Sequence, residues 1–347
     1  MHPPPEKIQN IQALRGIAVM LVIALHLVSN EEKYAHGYTV LPNFLAIGSS
    51  GVDLFFVISG FVMVMITRNS FQKRGEIRKF IYHRVSRIYP TYWFYSLLML
   101  AIFSVQQSTG STTRIVDIPA SFLLLPQSQL PLLVVGWTLI HEMYFYLVFA
   151  VLLVFNQRWL LPLLVLWGIT TVIGWLILPS NANPAFRLIT DPLTLEFIVG
   201  GLIALVHFSG KSINGWPFLV IALAWWFLGY GICMKLGLQP ESLSWLRVLV
   251  FGIPAAFFVY SLVTIEKSSG RRLPNYLILI GDASFSIYLS HLLVIATIGR
   301  IWEKFDVVGP WVNGTVVVAM FFSALAIGLI SFRLVERPLL AFTRRIG

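Results

Sequence analysis

The sequence predicts an all-α, polytopic membrane protein of about ten transmembrane helices, and three observations predict it. Hydrophobic residues make up 57% of the 347 and charged residues only 12%, at a mean hydropathy of +0.79. A soluble domain carries about 25% charged residues, and half that share cannot cover a water-facing surface. Ten predominantly apolar runs lie between polar or Pro/Gly breaks, each close to the ~20 residues a helix needs to cross the hydrocarbon core. Lys and Arg concentrate in every second connection. Disorder, a coiled coil and the short alternating segments of a β-barrel are all excluded.

The elements follow in order. The first run, 8–29, contains Arg15 and His26 and lacks a small-residue cleavage site, so it reads as a retained helix and not a signal peptide. Runs at 46–67 and 88–105 flank a basic segment, 68–87. The long connection 106–133 carries STGSTTRIVDIPASFLLLPQSQLP, whose middle is expected to form a short interfacial segment. The remaining runs are 134–155, 159–178, 192–208, 216–234, 246–265, 277–299 and 311–333; the sixth of the ten is the shortest, split by Gly200-Gly201.

An even number of spans leaves both termini on one side. That side holds 18 of the 25 Lys and Arg, Lys211 among them, and the other side 7. The positive-inside rule then puts both termini in the cytoplasm. The same bias accounts for the net charge of +10 and the pI near 9.8 without nucleic acid as a partner; membrane lipids are the expected contact. Residues 1–347 read as one membrane domain with no internal repeat. Cys233 is the single cysteine, so neither an internal disulfide nor a Cys-based metal site is expected.

Ionisable side chains inside spans are costly and point to function. Arg15 and His26 are eleven residues apart, which at about 100° each brings them to one face, about 16 Å apart along the axis. That spacing suits the two ends of one long ligand, Arg15 near the cytoplasmic edge and His26 in the outer part of the membrane. The same rise puts Asp53 about 10 Å, and Glu142 and His291 about 12 Å, from the outer ends of their helices. The four make one polar layer. An imidazole can take a proton from a hydroxyl while a carboxylate orients it, the chemistry of group transfer to an alcohol. A proton relay in a transporter uses the same residue types.

In TRNSFQKRGEIRKFIYHRVSRIYPTYW, Arg84 and Arg87 lie three apart and share a face of a helix entering the third span. Paired guanidinium groups suit phosphate oxygens. Tyr89, Tyr92, Trp93 and Tyr95 fit an interfacial aromatic belt, with Tyr92 and Trp93 as candidates to line a cavity beside His141, Tyr288 and His291. His141 and Glu142 are adjacent and point apart on a helix, so no metal site is indicated. No Walker or dinucleotide motif occurs.

These residues also carry a resemblance. IQALRGIAVMLVIALHL is similar to the first helix of the acyltransferase-3 family, marked by an Arg and a His after ten intervening residues. GVDLFFVISGFVM, the R-x-x-R of RVSRIYP, WTLIHEMYFY, SFSIYLSHLL and VERP follow in the family's order, spanning 12–338. The resemblance implies a ten-helix membrane O-acyltransferase that moves an acyl group, usually acetyl, from cytoplasmic acyl-CoA to a carbohydrate at the outer face. His26 is then the catalytic histidine, Arg15 its companion, Arg84 and Arg87 part of the acyl-CoA motif, and Glu142 the fourth-helix carboxylate; Asp53 or Glu142 would orient His26. His141 departs from the family, where many members have a second acid. Acetyl-CoA is expected as donor substrate and no bound cofactor; the acceptor is a glycan or a lipid-linked oligosaccharide. No soluble esterase-like fusion domain is seen, which resembles stand-alone exopolysaccharide O-acetyltransferases of the bacterial inner membrane. The oligomeric state stays open, a homodimer among the options. A transporter or flippase of a lipid-linked glycan is the alternative, and it would consume no acyl-CoA.

Overall fold

In hydrocarbon the backbone N–H and C=O groups have only one another to bond, which makes apolar runs helical. The computed structural model describes residues 7–179, 181–210, 213–240 and 244–346, and no strand occurs among them. The helices in chain order are α1 (Gln9–Tyr34), α2 (Ser50–Thr67), α3 (Arg74–Ser108), α4 (Ile118–Leu123), α5 (Gly136–Leu152), α6 (Leu160–Ile177), α7 (Pro184–Ile189), α8 (Thr194–Phe208), α9 (Gly215–Lys235), α10 (Ser244–Arg247), α11 (Ile253–Ser269), α12 (Asn275–Asp282), α13 (Ser284–Glu303), α14 (Pro310–Ser331) and α15 (Arg337–Ile346). Among the described residues, nine helical stretches are long and apolar enough to cross a membrane. The tenth expected span, 134–155, is α5, an apolar helix of 17 residues; at 1.5 Å per residue it reaches about 26 Å. Lys211, counted in the charge bias, lies outside the described residues.

The Cα framework separates into two compact units, Met1–Ile58 with Ile203–Leu334 and Ser59–Leu202 with Val335–Gly347. In the first, α1 is held at both ends by carboxylates. Glu266 accepts hydrogen bonds from the Gln9 and Asn10 amides at 3.0 and 2.7 Å, satisfying donors that a helix start leaves without an intrahelical acceptor. At the other end Glu31, fully buried, accepts from the Val40 and Leu41 amides and the Asn313 side chain, all at 2.9 Å. Against the side of α1 lies α12, at a crossing of two glycines. A Cβ on Gly16 would overlap the Leu277 carbonyl, and one on Gly281 the Gln12 carbonyl, so only hydrogen at both positions permits so close an approach.

That crossing corrects one expectation. The run 277–299 is not one helix: Ala283, at φ −94° and ψ 2°, separates α12 from α13. The break lets both helices pack on α1. The expected span 246–265 is borne out as one continuous helical stretch, Ser244–Ser269, in which a π-helical turn at Val248–Gly252 joins α10 to α11.

In the second unit, the basic segment expected as a connection is largely helical, because α3 runs 35 residues from Arg74 without interruption, Pro90 included. Its aromatic side chains carry α4, the short segment expected within 106–133. Tyr92, Trp93 and Tyr89 donate to the carbonyls of Ser121, Phe122 and Leu123 at 2.7, 2.9 and 2.8 Å, acceptors that a helix end leaves open. α5 contributes Phe145 and Phe149 to an aromatic core with Trp167 and Phe197; the Phe145 and Phe197 rings stack at 4.5 Å. Tyr82 donates to the Thr343 carbonyl and holds α15.

Candidate functional site

Two polar clusters stand out, one in each unit. In the first unit α1 and α13 bring His26 and His291 together, with His291 Nε2 3.3 Å from His26 Nδ1 and the rings edge-to-face at 5.0 Å. His26 Nδ1 is also 2.8 Å from the Val22 carbonyl, and His291 Nδ1 is 2.7 Å from the Tyr288 carbonyl. A carbonyl oxygen only accepts, so each Nδ1 carries the proton in the neutral ring and each Nε2 a lone pair. The Nε2 lone pair of His291 then faces the Nδ1–H of His26. The consequence is that His26 keeps a basic Nε2, the atom a general base needs. His291 is fully buried and His26 only partly, so of the two residues His26 is the one with exposed surface. The Tyr288 ring lies tilted beside His291 at 5.8 Å and meets Phe55 edge-to-face at 6.0 Å.

Sequence depth placed His26, Asp53, Glu142 and His291 in one layer. The structure pairs the two histidines and gives Asp53 a different partner from the expected one. Both Asp53 oxygens accept from Arg247, at 2.9 Å from Nε and 2.8 Å from Nη2, and the same Nη2 donates to the Ser49 carbonyl at 3.0 Å. Asp53 is fully enclosed. Within this unit no carboxylate among the described residues hydrogen-bonds either imidazole. Arg247, one of the seven Lys and Arg counted on the side opposite the termini, is therefore an interior ion-pair partner; a lone Arg opening an apolar run was the signal. Arg15 sits on α1 with Nη1 donating to Gln12 Oε1 at 3.2 Å.

The second cluster joins α3 and α5. Arg84 lies over the rings of Phe80 and Tyr146, 5.8 and 5.6 Å from guanidinium carbon to ring centre, a favourable placement for a cation. Tyr146 donates to Glu142 one turn earlier on α5, the i,i+4 spacing that brings side chains together on a helix. Arg84 Nε is buried without a hydrogen-bond partner in the protein, and Arg87 is half-buried one turn along. An orphaned buried donor costs about 1–3 kcal/mol; an anionic ligand would satisfy it. Tyr146 was missed by sequence, although its position four residues after Glu142 signals the contact.

Tyr92 and Trp93, expected to line a cavity, support α4 as described above. His141 points elsewhere from Glu142, as expected of adjacent helical positions: its Nδ1 is 3.0 Å from the Trp137 carbonyl and its Nε2 3.5 Å from Asp191 Oδ2. Among the described residues no three His, Cys, Asp or Glu side chains gather as a metal site.

Comparison with known proteins gives the geometry its context. Residues 8–333 match the acyltransferase domain family. The exopolysaccharide production protein ExoZ of Rhizobium meliloti (strain 1021) is 30% identical over 318 residues, covering 89% of this chain and 92% of that protein. The acyltransferase MdmB of Streptomyces mycarofaciens is 25% identical over 97% of this chain and 93% of its own. Nodulation protein 10 of Rhizobium leguminosarum bv. viciae is 24% identical, covering 85% and 83%. No solved structure matches at a significant level.

Proposed function

Because this chain belongs to the acyltransferase domain family, matched over residues 8–333, we propose that it is a membrane O-acyltransferase moving an acetyl group from acetyl-CoA to a glycan hydroxyl. The acceptor is a cell-surface or exopolysaccharide glycan or its lipid-linked precursor, a reading supported by the likeness to an exopolysaccharide production protein. The observation that carries the chemistry is the His26–His291 pair, which leaves His26 Nε2 as the basic atom.

In this reading Nε2 of His26 takes the proton of the acceptor hydroxyl as its oxygen attacks the thioester carbonyl. The tetrahedral intermediate collapses with cleavage of the C–S bond. The departing CoA thiolate recovers the proton from the imidazolium, which returns His26 to its starting form. His291 acts as a positioning residue, holding the Nδ1–H tautomer of His26. Arg84 and Arg87 bind donor phosphates, with Glu142 and Tyr146 fixing the floor under Arg84. Arg15, on the same face of α1 as His26 and about 16 Å away, marks the far end of a long donor. Asp53 stabilises α2 through Arg247 and serves His26 only by holding the scaffold. We place the chain in the bacterial inner membrane with both termini cytoplasmic, supported by the 18 to 7 division of Lys and Arg, and read residues 1–347 as one acyltransferase domain.

The test is release of free CoA thiol by purified protein in nanodiscs given acetyl-CoA, with and without a membrane glycolipid extract. The His26→Ala variant should lose about 10²–10⁴-fold in rate while remaining folded. A His26→Ala protein as active as wild type would refute the assignment. No thiol release together with no acetyl-CoA binding by calorimetry would favour transport instead.

A further inference from the structure

A cleft of about 520 Å³ opens in the second unit, within the range of small-molecule sites. Its walls come from the connection before α5, the Trp137–His141 face of α5, and the segment leading through α7 to Asp191. Gln127 lies in this wall with both amide atoms, Oε1 and Nε2, buried and without a hydrogen-bond partner in the protein. Each such group is costly to leave unmet, and a side-chain amide needs a ligand that both donates and accepts. Asp191 faces the same space with Oδ2 3.5 Å from His141 Nε2, while its Oδ1 accepts from the Leu193 amide at 3.0 Å. Trp137 adds an indole edge-to-face with His141 at 5.6 Å.

The wall that carries Gln127 is built to hold its shape. The Arg114 guanidinium gathers three consecutive carbonyls, donating to Leu130 at 2.9 Å, to Leu132 at 3.3 Å and to Pro131. Ser121 of α4 accepts from the Leu132 amide at 2.9 Å and is itself held through its carbonyl by Tyr92. Prolines at 126 and 131 bracket the segment and restrict its backbone. A wall held this firmly, with an unmet amide just beneath its surface, is a preorganised binding surface.

The geometry points to this cleft as a sugar-binding subsite for the acceptor glycan, with Gln127 and Asp191 bonding ring hydroxyls and Trp137 meeting the apolar face of the ring. A hydroxyl donates and accepts at once, which matches an amide beside a carboxylate. Arg187 lines the cleft as well as Asp191, so the lining carries one charge of each sign, a balance that a neutral sugar meets better than the polyphosphate end of CoA does. This assignment rests on the proposed glycan acceptor and adds where that glycan is read.

The experiment uses the full chain in nanodiscs and the methyl glycosides of glucose, galactose and glucuronic acid as probes, with binding followed by saturation-transfer NMR. Wild type should show saturable contact with at least one glycoside, weakened at least tenfold in Gln127→Ala and in Asp191→Asn. Because the only native thiol, Cys233, is buried, a Ser128→Cys variant places a reactive thiol at the cleft alone. Bound glycoside should slow its alkylation, and alkylation should abolish glycoside binding. This second readout stands whether or not Gln127→Ala folds. Glycoside binding that ignores all three changes, or no binding by wild type at any soluble concentration, overturns the subsite. Thiol release with a glycolipid extract, measured in parallel, reports separately on glycan acylation, so the two failures are told apart.

Discussion

Arg247 and Arg84 are both arginines in the interior of the protein, and they are finished in opposite ways. Arg247 meets Asp53 through two nitrogens and adds a backbone carbonyl. Arg84 rests on two aromatic rings and keeps Nε unpaired. A buried donor left without an acceptor is unfavourable, so the open Nε is the feature that sets Arg84 apart from Arg247. The first arginine closes a scaffold. The second keeps a donor open, which is where the proposed donor phosphate would bind.

The sharpest way to break this comparison is to remove the carboxylate from the closed pair. Asp53→Ala should cost about 3–5 kcal/mol, because it strands a buried guanidinium. Asp53→Leu combined with Arg247→Leu should recover most of the loss, as read by thermal unfolding in detergent. If Arg84→Ala destabilises the protein equally, the two arginines are alike and the contrast fails.

Next in size is the effect of Arg84 on the donor. Arg84→Ala should raise the acetyl-CoA Kd about 10–100-fold, or about 1.4–2.8 kcal/mol, with stability changed by less than about 1 kcal/mol. Calorimetry settles it, and an unchanged Kd removes Arg84 from the donor site.

A smaller effect is expected from His291. His291→Phe removes one of the two acceptors at His26 Nδ1, leaving the Val22 carbonyl, and should lower kcat about tenfold with little change in either KM. His291→Gln offers an amide oxygen to the same proton and should restore part of the rate. A structural role alone predicts no such rescue. The smallest change comes from Glu142→Gln, which still accepts from Tyr146 but loses its charge. Donor affinity should shift about two- to fivefold, on the scale of about 0.5–1 kcal/mol. A loss as large as that of His26→Ala would instead make Glu142 catalytic.

Much of this was legible along the chain. The periodicity of one helix placed Arg15 and His26 on a face, and axial rise put His26 and His291 at one depth, as their 3.3 Å approach bears out. Helical spacing likewise placed Arg84 and Arg87 on one side of what is indeed a continuous helix. The misplaced features share a cause. Asp53 was assigned to His26 by depth alone, and depth carries no azimuth; Arg247 was counted among the seven charges opposite the termini because nothing local marks its partner 194 residues away. Tyr92 and Trp93 looked like cavity residues, yet their partners are the end carbonyls of α4, 29 residues on.

Composition and apolar run length by themselves determined the helical class, the approximate span count and the chemistry on offer, since hydrocarbon forces backbone hydrogen bonds to close locally and a local rule can be read locally. Which histidine faces which, which arginine is neutralised, where 277–299 breaks and where a cleft opens behind Gln127 were decided only by tertiary packing. Those outcomes depend on helix rotation and on close crossings such as Gly16 against Gly281, contacts between residues remote in the chain that no local pattern encodes.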